Sequence, residues 1–290
     1  MSPHPILHTL GFATTDRVVI IHADDIGMCQ ATLPAFADLL DAGLVSSGAV
    51  MVPCAWFPQV AAWYRQHPAV DMGVHLTLTS EWATYRWGPV STRAPASGLL
   101  DQEGYFPHRP THLLAQATPD AVAAEVQAQI ARAQQAGIAP THADCHMYAG
   151  MVAPFMPHYV RLSAAAGLVP LVGRHGPHVW AGREQLLTHW ETQGLPTFDH
   201  LAVMDLQSGP EERIAQAKRL FDEMPAGLTC LLLHPARDTP ELRAIVPAWR
   251  YRVADYEAFL SAELRRHVRN IGIQVITYRT LQAAMGRRSQ

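Results

Sequence analysis

Short apolar runs alternate along this chain with longer stretches whose apolar residues recur at helical spacing. Val18-Val19-Ile20-Ile21 is uninterrupted, so residues 17–22 read as a first strand buried on both faces. From about 28 to 42, Leu33, Phe36, Leu39 and Leu40 share one helical face, and Gly43 supplies a C-terminal stop. A strand Gly48–Val52, a helix near 56–66 and a strand Val70–Leu78 follow. Thr118 as N-cap and Pro119 at the first helical position open a helix with Val122, Val126 and Ile130 on one face, closed by Gly137. Strands around 140–145 and 168–172 flank a helix near 153–166. A helix over 210–223, a strand Leu228–Leu233, a helix near 253–267 and a strand Ile271–Tyr278 complete the series.

Repeated strand–helix units predict an α/β fold with seven or eight parallel strands. No composition break divides the 290 residues, so one domain is expected over 1–290. No glycine-rich GxGxxG follows the first strand, which favours a (β/α) barrel over a doubly wound dinucleotide fold. Residues 79–117, rich in Trp, Tyr, Pro and Gly, form the one long irregular stretch. A loop of that length in a compact domain usually carries function.

Composition narrows the partners. The formal net charge is -3 and no Lys or Arg run stands out, which argues against nucleic acid or an anionic membrane as main partner. Cys29, Cys54, Cys145 and Cys230 are widely spaced without a CxxC, so neither a disulfide framework nor a thiolate zinc site is expected. There is no basic segment leading into an apolar leader and no run of membrane-spanning length, so the expectation is a soluble cytoplasmic protein. No feature decides for or against a homodimer.

The chemistry gathers at strand ends. Asp24 and Asp25, in His22-Ala23-Asp24-Asp25-Ile26-Gly27, stand where the first strand gives way to a turn. Two carboxylates there are costly to bury unless a counter-charge or a metal compensates them. His75 ends the third strand, and His234-Pro235 follows Leu231-Leu232-Leu233. In Thr141-His142-Ala143-Asp144-Cys145-His146, period-two alternation puts His142, Asp144 and His146 on one side, one as a ligand and the others as its hydrogen-bonding support. In a parallel barrel all four clusters would converge on the C-terminal rim of the sheet. One carboxylate and two imidazoles suit Zn²⁺ or a similar divalent ion. Each cluster also has a structural reading: Asp24 or Asp25 as a helix cap, His75 as a core histidine, His234 as a strand terminator. Trp82, Tyr85 and Trp87 fit either the loop's own small core or stacking against sugar rings. Neighbouring aspartates can both serve one site only if the backbone bends between them.

With Gly73-Val74-His75-Leu76-Thr77-Leu78-Thr79, Pro140-Thr141-His142-Ala143-Asp144-Cys145-His146 and His234-Pro235, the aspartate segment resembles the YdjC-like carbohydrate deacetylases, also called the ChbG/HpnK family. The motifs occur in family order over about 17–280. The resemblance implies a deformed (β/α) barrel, removal of an N-acetyl group from an amino sugar, and one divalent ion, Mg²⁺ or Zn²⁺. It further implies Asp25, His75 and His146 as metal ligands, Asp24 as catalytic base and His234 as catalytic histidine. Cys145 stands where a Ser is common, and Ser80-Glu81-Trp82 differs in character from the chitobiose-acting members. Two alternatives carry the same residues: a two-histidine, one-carboxylate non-haem iron oxygenase, and a non-catalytic sugar-binding protein.

Overall fold

The structure is a computed structural model that describes residues 6–175, 183–204 and 210–288. Among the described residues nine strands run in chain order: β1 Arg17–Ile26, β2 Ser47–Val50, β3 Met72–Leu76, β4 His142–Cys145, β5 Val169–Pro170, β6 Gly173–His175, β7 Phe198–Val203, β8 Gly227–Leu233 and β9 Gln274–Val275. They belong to one sheet in the order β5-β4-β3-β2-β1-β8-β7-β6, with β9 paired to β1 outside that path. The pairs β1–β8, β1–β9, β3–β4, β4–β5, β6–β7 and β7–β8 are parallel. The α/β class and its parallel strands are as the sequence implied, with the β/α succession of a deformed barrel. The deformation is visible in the connectivity, since β5 passes to β6 through Leu171-Val172 with no helix between them.

The chain divides into two compact units, and the division falls between the paired aspartates. One unit holds residues up to Asp24, Ala31–Gly48 and Val172 onward. Its core is the β1–β8 pair, in register from Arg17 opposite Gly227 to Ala23 opposite Leu233. Every residue of β8 is buried, as expected for a strand covered on both faces. The other unit holds Asp25–Gln30 and Ala49–Leu171. Here β3 and β4 pair so that His75 lies opposite Asp144. Gly73 is required by close packing, because a Cβ there would stand 2.3 Å from Nε2 of the buried His142.

Several elements differ from their sequence boundaries for identifiable reasons. β1 continues through both aspartates to Ile26 instead of ending at 22. The following helix is Thr32–Ala42, starting later because the Met28 amide turns back to the Asp25 carbonyl. β3 stops at Leu76 because Gln129 satisfies Thr77 in place of a neighbouring strand: its Oε1 accepts the Thr77 amide at 2.9 Å and its Nε2 donates to the Thr77 carbonyl at 2.7 Å. The helix expected near 253–267 is two helices, Trp249–Leu260 and Ala262–Asn270. Ser261 divides them by capping the second, its hydroxyl accepting from the Glu263 amide. The last strand shrinks to Gln274–Val275, and Tyr278 opens a helix to Arg288. The 79–117 stretch is irregular apart from a 3₁₀ turn at Pro95–Ser97 and a short helix at Pro110–Gln116.

Candidate metal centre

Asp25 departs from strand geometry. Its φ is 62°, a left-handed conformation that few non-glycine residues adopt. This is the backbone bend that the paired aspartates call for. It turns the Asp25 carboxylate, fully buried, toward two imidazoles: Oδ1 is 3.2 Å from His75 Nε2 and 3.0 Å from His146 Nδ1. β3 carries His75. His146 follows the last residue of β4 and begins a 3₁₀ segment in which Met147 and Tyr148 are also left-handed, with φ of 50° and 55°. One ligand atom from each of Asp25, His75 and His146 lies within 4.8 Å of the others, and all three residues are buried.

Both imidazoles have their second nitrogen engaged. His75 Nδ1 is 2.9 Å from Asp144 Oδ1, the partner that the β3–β4 register places opposite it. His146 Nε2 is 3.0 Å from Glu81 Oε2. A carboxylate on the far nitrogen fixes the tautomer and ring angle of a ligating histidine. The donor set, one carboxylate oxygen and two imidazole nitrogens, suits a divalent ion and leaves positions for water and substrate. Burial works to lower the His146 pKa, but the Glu81 and Asp25 carboxylates outweigh it and raise the value to about 9. A cation entering the cluster therefore competes with a proton on His146.

Asp24 belongs to a second cluster. His22 Nε2 lies 3.1 Å from its Oδ1, and His22 is itself fixed by Ser47 Oγ at 3.0 Å and by the edge of the Tyr278 ring. His234 Nε2 lies 3.7 Å from Asp24 Oδ2. The His234 side chain is 20 % exposed, so it can meet solvent or a ligand. Its backbone amide donates to Asp255 Oδ2 at 3.1 Å, while Asp255 Oδ1 accepts from Arg213 Nε at 2.7 Å and lies 2.6 Å from Nη2 of the same guanidinium as an ion pair. Burial pushes the Asp255 carboxyl above its usual range against the pull of Arg213. Arg213→Met should leave that buried carboxylate without its counter-charge and cost about 3–5 kcal/mol. Denaturant unfolding measures this directly, and a loss below about 1 kcal/mol would show the pair to be energetically idle.

The sequence-selected residues thus fall into groups. Asp25, His75 and His146 meet; Asp24, His22 and His234 meet; Asp144 supports His75. His142 stands apart from these, its Nδ1 2.8 Å from Thr141 Oγ1, which donates to Asp71. Glu81, Arg213 and Asp255 were not among the candidates. Only Glu81 left a trace in the sequence, as the carboxylate that opens the long loop after the His75 strand.

The loop aromatics pack on one another, as the reading of a small loop core expects. Trp87 is buried and its indole donates to the Thr79 carbonyl, which makes it part of the loop's core. Trp82 and Tyr85 are half-buried against it, with ring centroids 5.4 and 5.9 Å away, and the Trp87 ring lies 6.2 Å from that of His146. Arg86 ties the loop together through Ser80, Asp101, Glu103 and the Phe106 carbonyl.

The profile of the YdjC-like protein family matches residues 18–270. The chain belongs to the YdjC-like family. A carbohydrate deacetylase of Thermus thermophilus is 36 % identical over 276 residues, covering 93 % of this chain and 95 % of its own. A carbohydrate deacetylase of Brevibacillus brevis is 25 % identical over 91 % of this chain and 99 % of its own. Among solved structures, an Enterococcus faecalis protein named for cellobiose-phosphate cleavage superposes with a TM-score of 0.77. It is 22 % identical, covers 92 % of this chain and 99 % of its own, and is a likeness of fold. Among the described residues, no helix is long and apolar enough to cross a membrane. All four cysteines are buried and none forms a disulfide.

Proposed function

We propose that this protein is a metal-dependent carbohydrate deacetylase that hydrolyses the N-acetyl group of an amino sugar, acting as a single catalytic domain in the cytoplasm. The observation that carries the reading is the meeting of Asp25 with His75 and His146 at ligand-atom spacing, each imidazole backed by a further carboxylate. The 36 % identical relative named as a carbohydrate deacetylase supports the same chemistry.

Asp25, His75 and His146 would hold one divalent ion, Mg²⁺ or Zn²⁺. When bound, such an ion supplies Lewis acidity to an amide carbonyl and makes water more acidic. Asp24 is the general base: a carboxylate oxygen takes a proton from the water as its oxygen attacks the acetamide carbon. His22 and Ser47 orient that carboxylate, in support of this role. His234 in its protonated form donates from Nε2 to the amide nitrogen as the C–N bond breaks, so the products are acetate and the free amine. Trp82 and Tyr85, half-buried beside the loop core, offer ring faces to a pyranose.

The test is a screen of N-acetylglucosamine, its oligomers and other acetamido compounds for acetate release. The expected result is acetate and free amine in equal amounts with no oxygen uptake. Oxygen consumption with iron would revive the oxygenase alternative, and sugar binding without acetate would revive the binding-protein alternative.

A further inference from the structure

The two imidazoles of the candidate centre are built alike but supported from different places. His75 is backed by Asp144, buried on β4 and fixed by the strand register. His146 has no such strand neighbour behind it. It lies beyond the end of β4, followed by two residues in left-handed conformation, so no strand register sets a partner opposite it. What meets its far nitrogen is Glu81, from the loop that follows β3.

The backbone at Glu81 is anchored on both sides of the residue's peptide. The Ser80 amide donates to the Pro107 carbonyl, and the Ser80 hydroxyl accepts from Arg86 Nε and the Trp87 amide. The Glu81 carbonyl is 3.2 Å from His108 Nδ1. Glu81 therefore stands on an anchored stretch of backbone at the start of the loop. We infer that Glu81 is the positioning residue for His146: it receives the Nε2–H, so that Nδ1 is the nitrogen turned to the cation that Asp25 and His75 would share, and thereby makes the 79–117 loop part of the metal-binding apparatus. The inference rests on the metal-centre part of the proposed function and does not require the substrate to be known.

The test is calorimetric titration of the chelator-treated chain with Zn²⁺ and separately with Mg²⁺, comparing wild type with Glu81→Ala, Glu81→Gln, Trp82→Ala and His75→Ala. Losing a carboxylate behind a ligating histidine typically weakens metal binding about 10–100-fold. Glu81→Ala should show that loss with the metal-free melting temperature little changed. Glu81→Gln, whose amide oxygen still accepts the Nε2–H, should recover part of it, and Trp82→Ala should bind as wild type. An unchanged Kd in Glu81→Ala would overturn the role. So would a loss as complete as that of His75→Ala, which would make Glu81 a direct ligand, or an equal loss in Trp82→Ala, which would indict the loop as a whole. If Glu81→Ala does not fold, Glu81→Gln decides: weaker binding supports the role, and wild-type binding refutes it. These readouts are independent of acetate release, so a failed deacetylase assignment remains distinguishable. A wild-type chain that binds neither ion removes the centre and this role with it.

Discussion

Asp24→Asn is expected to bind its divalent ion as the wild type does and to release acetate about 10²–10⁴-fold more slowly, the range for one positioned acid or base group. The substitution keeps the side chain's shape and an oxygen for His22 Nε2, at 3.1 Å in the native protein. What it removes is the capacity to accept a proton. Asp24 is not in the cluster formed by Asp25, His75 and His146, so metal content should stay at the native level. Elemental analysis beside an acetate assay separates the two effects. A variant with wild-type turnover would show that another group takes the proton; one that lost its metal would place Asp24 among the ligands.

His75→Ala should lose both metal and activity. It removes one of three ligand atoms that lie within 4.8 Å of one another. It also leaves the Asp144 carboxylate, 1 % exposed, without the imidazole that meets it at 2.9 Å. A buried acceptor stripped of its partner costs about 1–3 kcal/mol, and a charged one more. The variant should therefore also unfold at lower denaturant concentration, and adding Asp144→Asn should recover part of that stability without restoring metal. Retained metal and turnover would contradict the ligand assignment.

The legible part of this protein is the part written in local pattern. β1 and β8 announce themselves because Val18-Val19-Ile20-Ile21 and Leu231-Leu232-Leu233 are buried on both sides and admit no polar interruption. The clusters that hold the metal-binding candidates are legible for a related reason: the aspartate pair and His75 are polar residues at the ends of apolar runs, where polarity needs a cause, whereas the choice of Asp25 and of His146 within their clusters rests on the family resemblance. What escaped depends on tertiary partners. β3 ends two residues early because a distant glutamine, Gln129, takes over the hydrogen bonds of Thr77. Ser261 reads as an ordinary helix residue until its hydroxyl is seen capping the next helix. Asp255 lies inside the helix Trp249–Leu260, and nothing in that helix's spacing points to the His234 amide or to Arg213. His142 shares the alternation of Asp144 but stands opposite Val169, one pleat before the site, and joins Asp71 and Thr141 instead. Alternation gives a face, not a depth along it.

The paired aspartates show the same limit from the other side. Their costliness was visible in the sequence; the left-handed φ of 62° at Asp25 was not, since no glycine marks it. That one backbone conformation gives adjacent carboxylates different neighbours. Asp24 faces His22 and His234, and Asp25 faces His75 and His146.

The proposed metal dependence is tested most directly by the rate of acetate release from an acetylated amino sugar as metal is returned to the chelator-treated protein. Release should stop after chelation, recover on adding Mg²⁺ or Zn²⁺ to a plateau at one ion per chain, and fail to recover in Asp25→Ala. Undiminished release by the fully chelated protein, or recovery in Asp25→Ala equal to wild type, would contradict it.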